Sequence, residues 1–220
     1  MNATIIVPSK LITNLSRCLA AVHLKEPNSK VTVIDDGLNW RGWNQPGGPT
    51  SVIPGVKPFV FARNVNLGIQ ASAPSDVILL NDDATLQTPG GFTKLEEVAK
   101  ANPEFGVIAA AVDLCGNVNQ SPQAGEGLRL ETWTLCFVCV YIPRSVIDRV
   151  GLLDERFVTY GSEDNDYAHR VKLAGLKLGV FDGCFLKHSE LRSTFRGNPR
   201  SGGAIAQGRA IYKEKWGMEP

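Results

Sequence analysis

The sequence predicts a single α/β domain built on a central, mixed but mostly parallel β-sheet flanked by helices. Three observations carry that expectation. Short apolar runs alternate with segments whose apolar residues recur at helical spacing, as in helices packed on sheet faces. The run Val77-Ile78-Leu79-Leu80 is apolar throughout, as a strand buried on both faces must be. It ends abruptly in Asn81-Asp82-Asp83, which puts carboxylates at a strand's carboxyl end, where open α/β sheets hold their ligands.

Each element can be justified in turn. Thr4 to Val7 is apolar and β-rich, and Pro8-Ser9 ends it. Leu11, Leu15, Cys18, Leu19 and Val22 then form one helical stripe. Val31 to Ile34 is a second strand, closed by Asp35-Asp36-Gly37. The stretch from Leu38 to about Lys57, rich in Gly, Pro, Asn and Trp, predicts a loop. Phe59-Val60-Phe61 predicts a short strand, and Asn64-Val65-Asn66-Leu67-Gly68 a turn. Thr88-Pro89 has the form of an N-cap followed by a first-turn proline. Phe92, Leu95, Val98 and Ala99 give that helix its apolar face, and Asn102-Pro103 stops it.

Val107 to Val112 and Leu135 to Ile142 predict two further strands. Between them, Asp113 to Glu131 is a long polar connection of the kind that shapes binding surfaces. Pro143 to Val150 predicts a short helix closed by Gly151. Ser162 is an N-cap for a helix from Glu163 to about Ala174, with Gly175 as its C-cap signal. Leu178 to Phe181 is a last strand, His188 follows it, and a Gly-, Ser- and Arg-rich tail ends in a short helical stretch.

Composition narrows the function classes. The chain has 220 residues, 43% apolar and 20% charged, which suits one soluble globular domain with a sizeable core. A formal net charge of +1 supplies no global attraction to nucleic acid or anionic lipid. No run approaches the roughly 20 apolar residues of a membrane span, and the amino terminus lacks a signal-peptide core. Five cysteines, an odd number, predict free thiols in a reducing compartment and hence a cytoplasmic protein. Cys136 and Cys139 form a C-x-x-C inside a strand-like run. Residues three apart on a strand face opposite sides, so these two are expected to be buried structural cysteines rather than metal ligands.

The acidic clusters carry the chemistry. Asp82 and Asp83 repel one another, and a hard divalent cation that also holds a phosphate is one way to offset them. A solvated turn capping the next helix is the other. Asp35-Asp36 is placed to accept hydrogen bonds from a ribose or base, or equally to form an Asx-type turn before Gly37. Glu163-Asp164-Asn165-Asp166 puts three carboxylates in the first turn of a helix, where acids complement the helix dipole and Asp166 can pair with Arg170. The same turn can present a general base. His188 is placed to complete a carboxylate metal site or, as is commoner for a lone histidine, to serve a structural role, whereas His23 and His169 read as surface or packing residues. Absence of G-x-G-x-x-G and of G-x-x-x-x-G-K-[ST] disfavours a nicotinamide enzyme and a P-loop NTPase.

The order of these pieces is more informative than any one of them. Asp35-Asp36-Gly37, Asn66-Leu67-Gly68, Asn81-Asp82-Asp83, Val150-Gly151-Leu152-Leu153-Asp154-Glu155-Arg156-Phe157, Gly161 to Asp166 with Arg170, Ala174-Gly175 and His188 follow in series. The series resembles the inverting nucleotide-sugar glycosyltransferases of family 2, which have the GT-A fold. The resemblance implies a catalytic domain over residues 1–190, with 191–220 a loop and short helix of the same domain. It implies that Pro8, Asp35, Asp36 and Asp82 line the nucleotide pocket, with Gly68 allowing close approach of the backbone. Asp83 and His188 would bind Mn2+ or Mg2+, Asp164 would be the general base, and Glu163 would help hold the acceptor. The implied donor is a nucleoside-diphosphate sugar, a UDP-sugar first, and the acceptor a hydroxyl on a saccharide or lipid-linked glycan, with protein or nucleic acid left open.

Departures from the family pattern are specific. Gly37 is followed by Leu38-Asn39-Trp40 where the family continues Asp-Gly-Ser-x-Asp, and Asn81 stands for the first acid of D-x-D. The Q-x-x-R-W motif of processive synthases is absent, which points to addition of single sugars. Arg192, Arg196 and Arg200 are placed to form a lid over the diphosphate, or a mobile basic loop. Two alternatives remain: a sugar-phosphate nucleotidyltransferase, whose Gly-rich loop Ile6-Val7-Pro8-Ser9-Lys10 does not supply, and a nucleotide-sugar-binding module without catalysis.

Overall fold

The computed structural model describes residues 1–41, 48, 50–158, 161–190 and 201–220. In chain order they form β1 (Thr4–Ser9), α1 (Ile12–Lys25), β2 (Lys30–Asp35), β3 (Thr50–Pro54), α2 (Phe61–Ala71), β4 (Val77–Leu80) and β5 (Thr85–Leu86). There follow α3 (Gly91–Ala101), β6 (Phe105–Val112), β7 (Leu128–Glu131), β8 (Cys139–Ile142), α4 (Arg144–Val150), α5 (Glu163–Leu173), β9 (Lys177–Lys187) and α6 (Ser201–Trp216). The described strands make one sheet, ordered β3-β2-β1-β4-β8-β6-β9-β5, with β7 also paired to β9. β1 to β4 run parallel to one another, and so do β6 and β9. β8 lies antiparallel between β4 and β6, and β5 and β7 oppose β9. The sheet is therefore mixed, with most strands pointing one way.

Alternation along each strand divides the core into two layers. Ile5 and Val7 of β1, Ile78 and Leu80 of β4, and Ile108 and Ala110 of β6 pack with α1 and α3. Ile6, Val77, Leu79, Val107 and Ala109 face the other way, against α2, α4 and α5. Burial on both faces is why these strands read as unbroken apolar runs. α1 presents Leu15, Cys18, Leu19 and Val22 to the sheet, on the stripe its spacing predicts.

Several local expectations are corrected. β3 lies inside the stretch read as a loop and adds to the sheet edge, where its half-exposed residues leave no apolar run to see. The strand expected at Phe59–Phe61 and the turn at Asn64–Gly68 are the approach to α2 and its body. Asn64 and Asn66 are turn formers by composition, but here they are buried hydrogen-bonding residues. Asn64 Oδ1 accepts from Val56 N–H at 2.8 Å, and Asn66 Nδ2 donates to Leu153 O at 3.0 Å. Thr88 does not cap α3; the helix starts after Gly90, which is left-handed, and Thr88 Oγ1 accepts from Phe185 N–H at 3.0 Å. β8 is only the second half of the run from Leu135, so Cys136 lies in the loop before it. β9 and α6 are both longer than their apolar cores suggest. Ser162 does precede α5, but with φ of 72° and no side-chain cap bond.

One buried carboxylate ties the last helix to α5. Asp166, fully enclosed, accepts from Arg170 Nε at 2.9 Å, as the spacing predicts, and also from Trp216 Nε1 at 2.9 Å. Lys215 Nζ lies 2.6 Å from Asp166 and 2.7 Å from Asp154. His169 packs on Trp216 with ring centroids 4.4 Å apart. These contacts fix the end of α6 beside the start of α5.

Candidate active site

The carboxyl ends of β1 and β4, the start of α5 and one side of α6 enclose a cleft of about 730 Å³. The strand ends bring Pro8, Ser9, Asp36, Asp82 and Asp83 to its wall, α5 brings Glu163 and Asp164, and the chain after β9 brings His188. Seven of the candidate residues, Pro8, Asp36, Asp82, Asp83, Glu163, Asp164 and His188, thus meet in one place.

At the end of β4 the chain turns under support from its neighbours. Asn81 N–H donates to Val138 O at 2.9 Å, and Ser9 Oγ donates to Asp82 Oδ2 at 2.6 Å. Burial pushes Asp82 up to about 6, against the hydrogen bond from Ser9 and with help from the charge on Asp83. Asp83 is buried, and its Oδ1 lies 3.2 Å from His188 Nε2. The other ring nitrogen, Nδ1, is 2.5 Å from Leu114 O, and the His188 N–H donates to Asp113 Oδ1 at 2.7 Å. A carbonyl only accepts, so Nδ1 carries the hydrogen by inference from the hydrogen-bond network. Nε2 faces the Asp83 carboxylate, and a cation between the two, either a proton or a metal, satisfies both.

The residues fit a divalent ion in that sense. An oxygen and an imidazole nitrogen about 3 Å apart suit neighbouring ligands of one ion, and the backbone-bonded Nδ1 supplies the usual support for a ligating histidine. Among the described residues no group of three or more His, Cys, Asp or Glu is arranged to hold a metal. Asp83 and His188 would supply two protein ligands, and a bound anion would have to complete the shell.

Glu163 and Asp164 are differently placed. Glu163 is buried, and its Oε2 has no hydrogen-bond partner among the described residues. Burial, reinforced by the charge on Asp164, pushes its carboxyl up to about 8. Burial also pushes Asp164 up to about 6, opposed by backbone N–H groups that include Asn165, which donates to Oδ1 at 2.8 Å. The two titrate as a pair, able to hold or take a proton near neutrality.

Two candidates do not reach the cleft. Asp35 accepts from Gly37 N–H, Leu38 N–H and Trp40 Nε1, each at 2.7 Å, so both its oxygens are spent on the turn. Burial would raise its pKa, but those bonds outweigh it and hold the carboxyl below the usual range. Gly68 allows a close approach, but to Ile6: a Cβ there would sit 2.5 Å from Ile6 Cγ2, so the glycine serves the packing of α2 on β1. Arg192, Arg196 and Arg200 lie outside the described residues.

Beside the cleft and within it lie residues that the sequence did not single out. Lys57 donates to the Asp36 carbonyl at 2.5 Å and pairs with its carboxylate, meeting the charge of the acid at the end of β2. Lys10 and Arg209 are the Lys and Arg side chains lining the cleft among the described residues. Cys115 and Cys136, half-buried, line it too, and the Cys115 thiol donates to Asn117 O at 3.1 Å. The neighbouring Cys136 thiol draws the Cys115 thiol down to about 7 and is itself pushed well up. A Ser after a strand, a lysine in a loop and two distant cysteines carry no motif, and only the fold brings them together.

No family model matches the chain, and no curated protein matches it in sequence. Solved structures do match in fold. A crystal structure of GalNAc-T7 with UDP, GalNAc and Mn2+ superposes with a TM-score of 0.75 over 98% of this chain, at 12% identity. The mannosyltransferase PcManGT from Pyrobaculum calidifontis, in complex with GDP-Man and Mn2+, gives 0.74 over 100% of this chain, at 15% identity. The chain has the GT-A glycosyltransferase fold. It spans 48% of the first neighbour's length and 66% of the second's. Among its described residues no helix is long and apolar enough to cross a membrane.

Proposed function

We propose that the protein is a metal-dependent glycosyltransferase that moves one sugar from a nucleoside-diphosphate sugar, most readily a UDP-sugar, to an acceptor hydroxyl with inversion, as in family 2. One observation supports the reading: Asp83 beside His188, and the two carboxyls of Glu163 and Asp164 raised toward neutrality, line a single cleft in a GT-A fold. The two fold neighbours were solved with Mn2+ and with UDP or GDP-Man, which supports the same donor chemistry here.

Each residue then has a task. Pro8, Ser9 and Asp36 form the wall for the nucleotide, and Ser9 orients Asp82. Asp83 and His188 would hold Mn2+ or Mg2+, which when bound supplies positive charge for the donor diphosphate and its leaving group. Asp164 takes the acceptor hydroxyl proton as it attacks, because a hydroxyl is a poor nucleophile at neutral pH. Glu163, protonated near neutrality, can donate a hydrogen bond to the acceptor. Lys10 and Arg209 offer charge to the diphosphate from opposite sides of the chain's sequence.

The test needs no acceptor at first. Sugar nucleotides are screened for hydrolysis with and without Mn2+, and the anomeric configuration of the released sugar is read by NMR. Metal-dependent release with inversion is the expected result. Retention would overturn the inverting assignment, and no hydrolysis of any donor, together with metal-independent nucleotide binding, would favour an inert module.

A further inference from the structure

We propose that Cys115 and Cys136 are a redox-active dithiol, which a small-molecule disulfide such as oxidised glutathione converts to an internal disulfide that disturbs the seat of His188. Three of the five cysteines, Cys18, Cys139 and Cys184, are buried in the core, whereas these two are half-buried and both line the cleft. A Cβ built on Gly116 would lie 3.4 Å from Cys136 Sγ, so that sulfur rests against the backbone beside Cys115.

The loops that carry the two sulfurs are stapled together. Cys136 N–H donates to Gln120 Oε1 at 2.6 Å, and Gln120 Nε2 donates back to Cys136 O at 3.1 Å. Asn117 Nδ2 donates to Thr134 O at 2.7 Å and to Glu131 Oε2 at 3.1 Å. Gln120 and Asn117 are themselves buried. Pre-positioned thiols close a disulfide with little further loss of chain freedom. Soft-metal binding by the pair is disfavoured, since no group of three or more suitable ligands exists among the described residues.

The chemistry balances with one co-reactant. One cysteine, as thiolate, attacks a sulfur of the small disulfide, forms a mixed disulfide and expels one glutathione thiolate. Its neighbour loses a proton to solvent, attacks the protein-bound sulfur and expels the second. Two protein thiols are oxidised, and one small disulfide is reduced to two thiols. The sulfurs must close to about 2.05 Å, and the Cys115 thiol must leave the carbonyl of Asn117 to do so. Cys115 follows Leu114, whose carbonyl bonds His188 Nδ1, and Asp113, which holds the backbone of His188 and Ser189. Drawing Cys115 toward Cys136 therefore pulls on both supports of that imidazole.

The experiment treats the reduced full chain with oxidised glutathione, alkylates it and maps the peptides without reduction, while NMR follows the His188 ring N–H. The expected result is a Cys115–Cys136 disulfide with Cys18, Cys139 and Cys184 still reduced, and a His188 signal that moves on oxidation and returns with dithiothreitol. Cys136→Ser should instead trap glutathione on Cys115. Stable glutathione on both residues of the unaltered chain, no reaction at either, or a disulfide that leaves the His188 signal unmoved would each overturn the proposal. Neither readout uses a sugar nucleotide, so this proposal and the transferase reading fail independently.

Discussion

Asp82-Asp83, at the end of β4, and Glu163-Asp164, at the start of α5, line one cleft, yet their carboxylates keep different company. Asp82 has the hydroxyl of Ser9, and Asp83 has the imidazole of His188. Glu163 Oε2 has no partner among the described residues, and Asp164 has only backbone N–H groups. Asp166, in the same turn of α5, shows that the helix start does not impose this: it is more deeply buried, yet it is met by Arg170, Lys215 and Trp216. The difference separates two jobs. A carboxylate beside a lone-pair ligand is ready for a cation, whereas a carboxylate in a dry site without a counter-charge is ready for a proton.

Breaking the proton-accepting side should have the largest effect. Asp164→Asn keeps the shape and removes the proposed base, so transfer to an acceptor should fall by about 10²- to 10⁴-fold. Nucleoside diphosphate binding, measured by calorimetry, should be unchanged. Full transfer by this variant would erase the distinction between the two pairs. Asp83→Asn probes the other side: Mn2+ binding in the presence of UDP should weaken by about 10- to 100-fold. Equal metal binding by wild type and variant would show that Asp83 is a structural acid held by His188.

The parts legible in the sequence were those written in local pattern. Val77 to Leu80 had to be a strand buried on both faces because nothing else suits four apolar residues closed by acids. The Asp166–Arg170 pair followed from spacing alone, but Lys215 and Trp216 come from fifty residues away and leave no local trace. α2 was hidden because Asn64, Asn66 and Gly68, turn formers by propensity, are used in it for tertiary bonds and close packing. The same holds at the site. Asp35 and Asp36 are neighbours of one type, and only the fold shows that Trp40 consumes the first while the second faces the cleft. Gly68→Ala sharpens this point: overpacking against Ile6 should cost about 1–3 kcal/mol in stability, read by urea unfolding. An effect confined to nucleotide affinity would return Gly68 to the donor pocket.

The smallest expected effect is on stability against pH, and it tests why Glu163 is left alone. Its folded pKa of about 8 lies above the ordinary carboxylate value. Between the two, the folded chain binds more protons than the unfolded one, so this group's contribution is full below about pH 4.5 and is lost as pH rises through 8. The melting temperature of the unaltered chain, measured without metal, should therefore fall between pH 5 and pH 8. Asp164 shares the proton, so the slope belongs to the pair. Glu163→Gln cannot ionise, and its melting temperature should fall less over the same range. The gap should be a few °C, since about 1 kcal/mol corresponds to roughly 2–4 °C in a chain of this size. Parallel curves for the two proteins would mean that Glu163 is already charged near neutrality, and the contrast with Asp166 would then lose its chemical meaning.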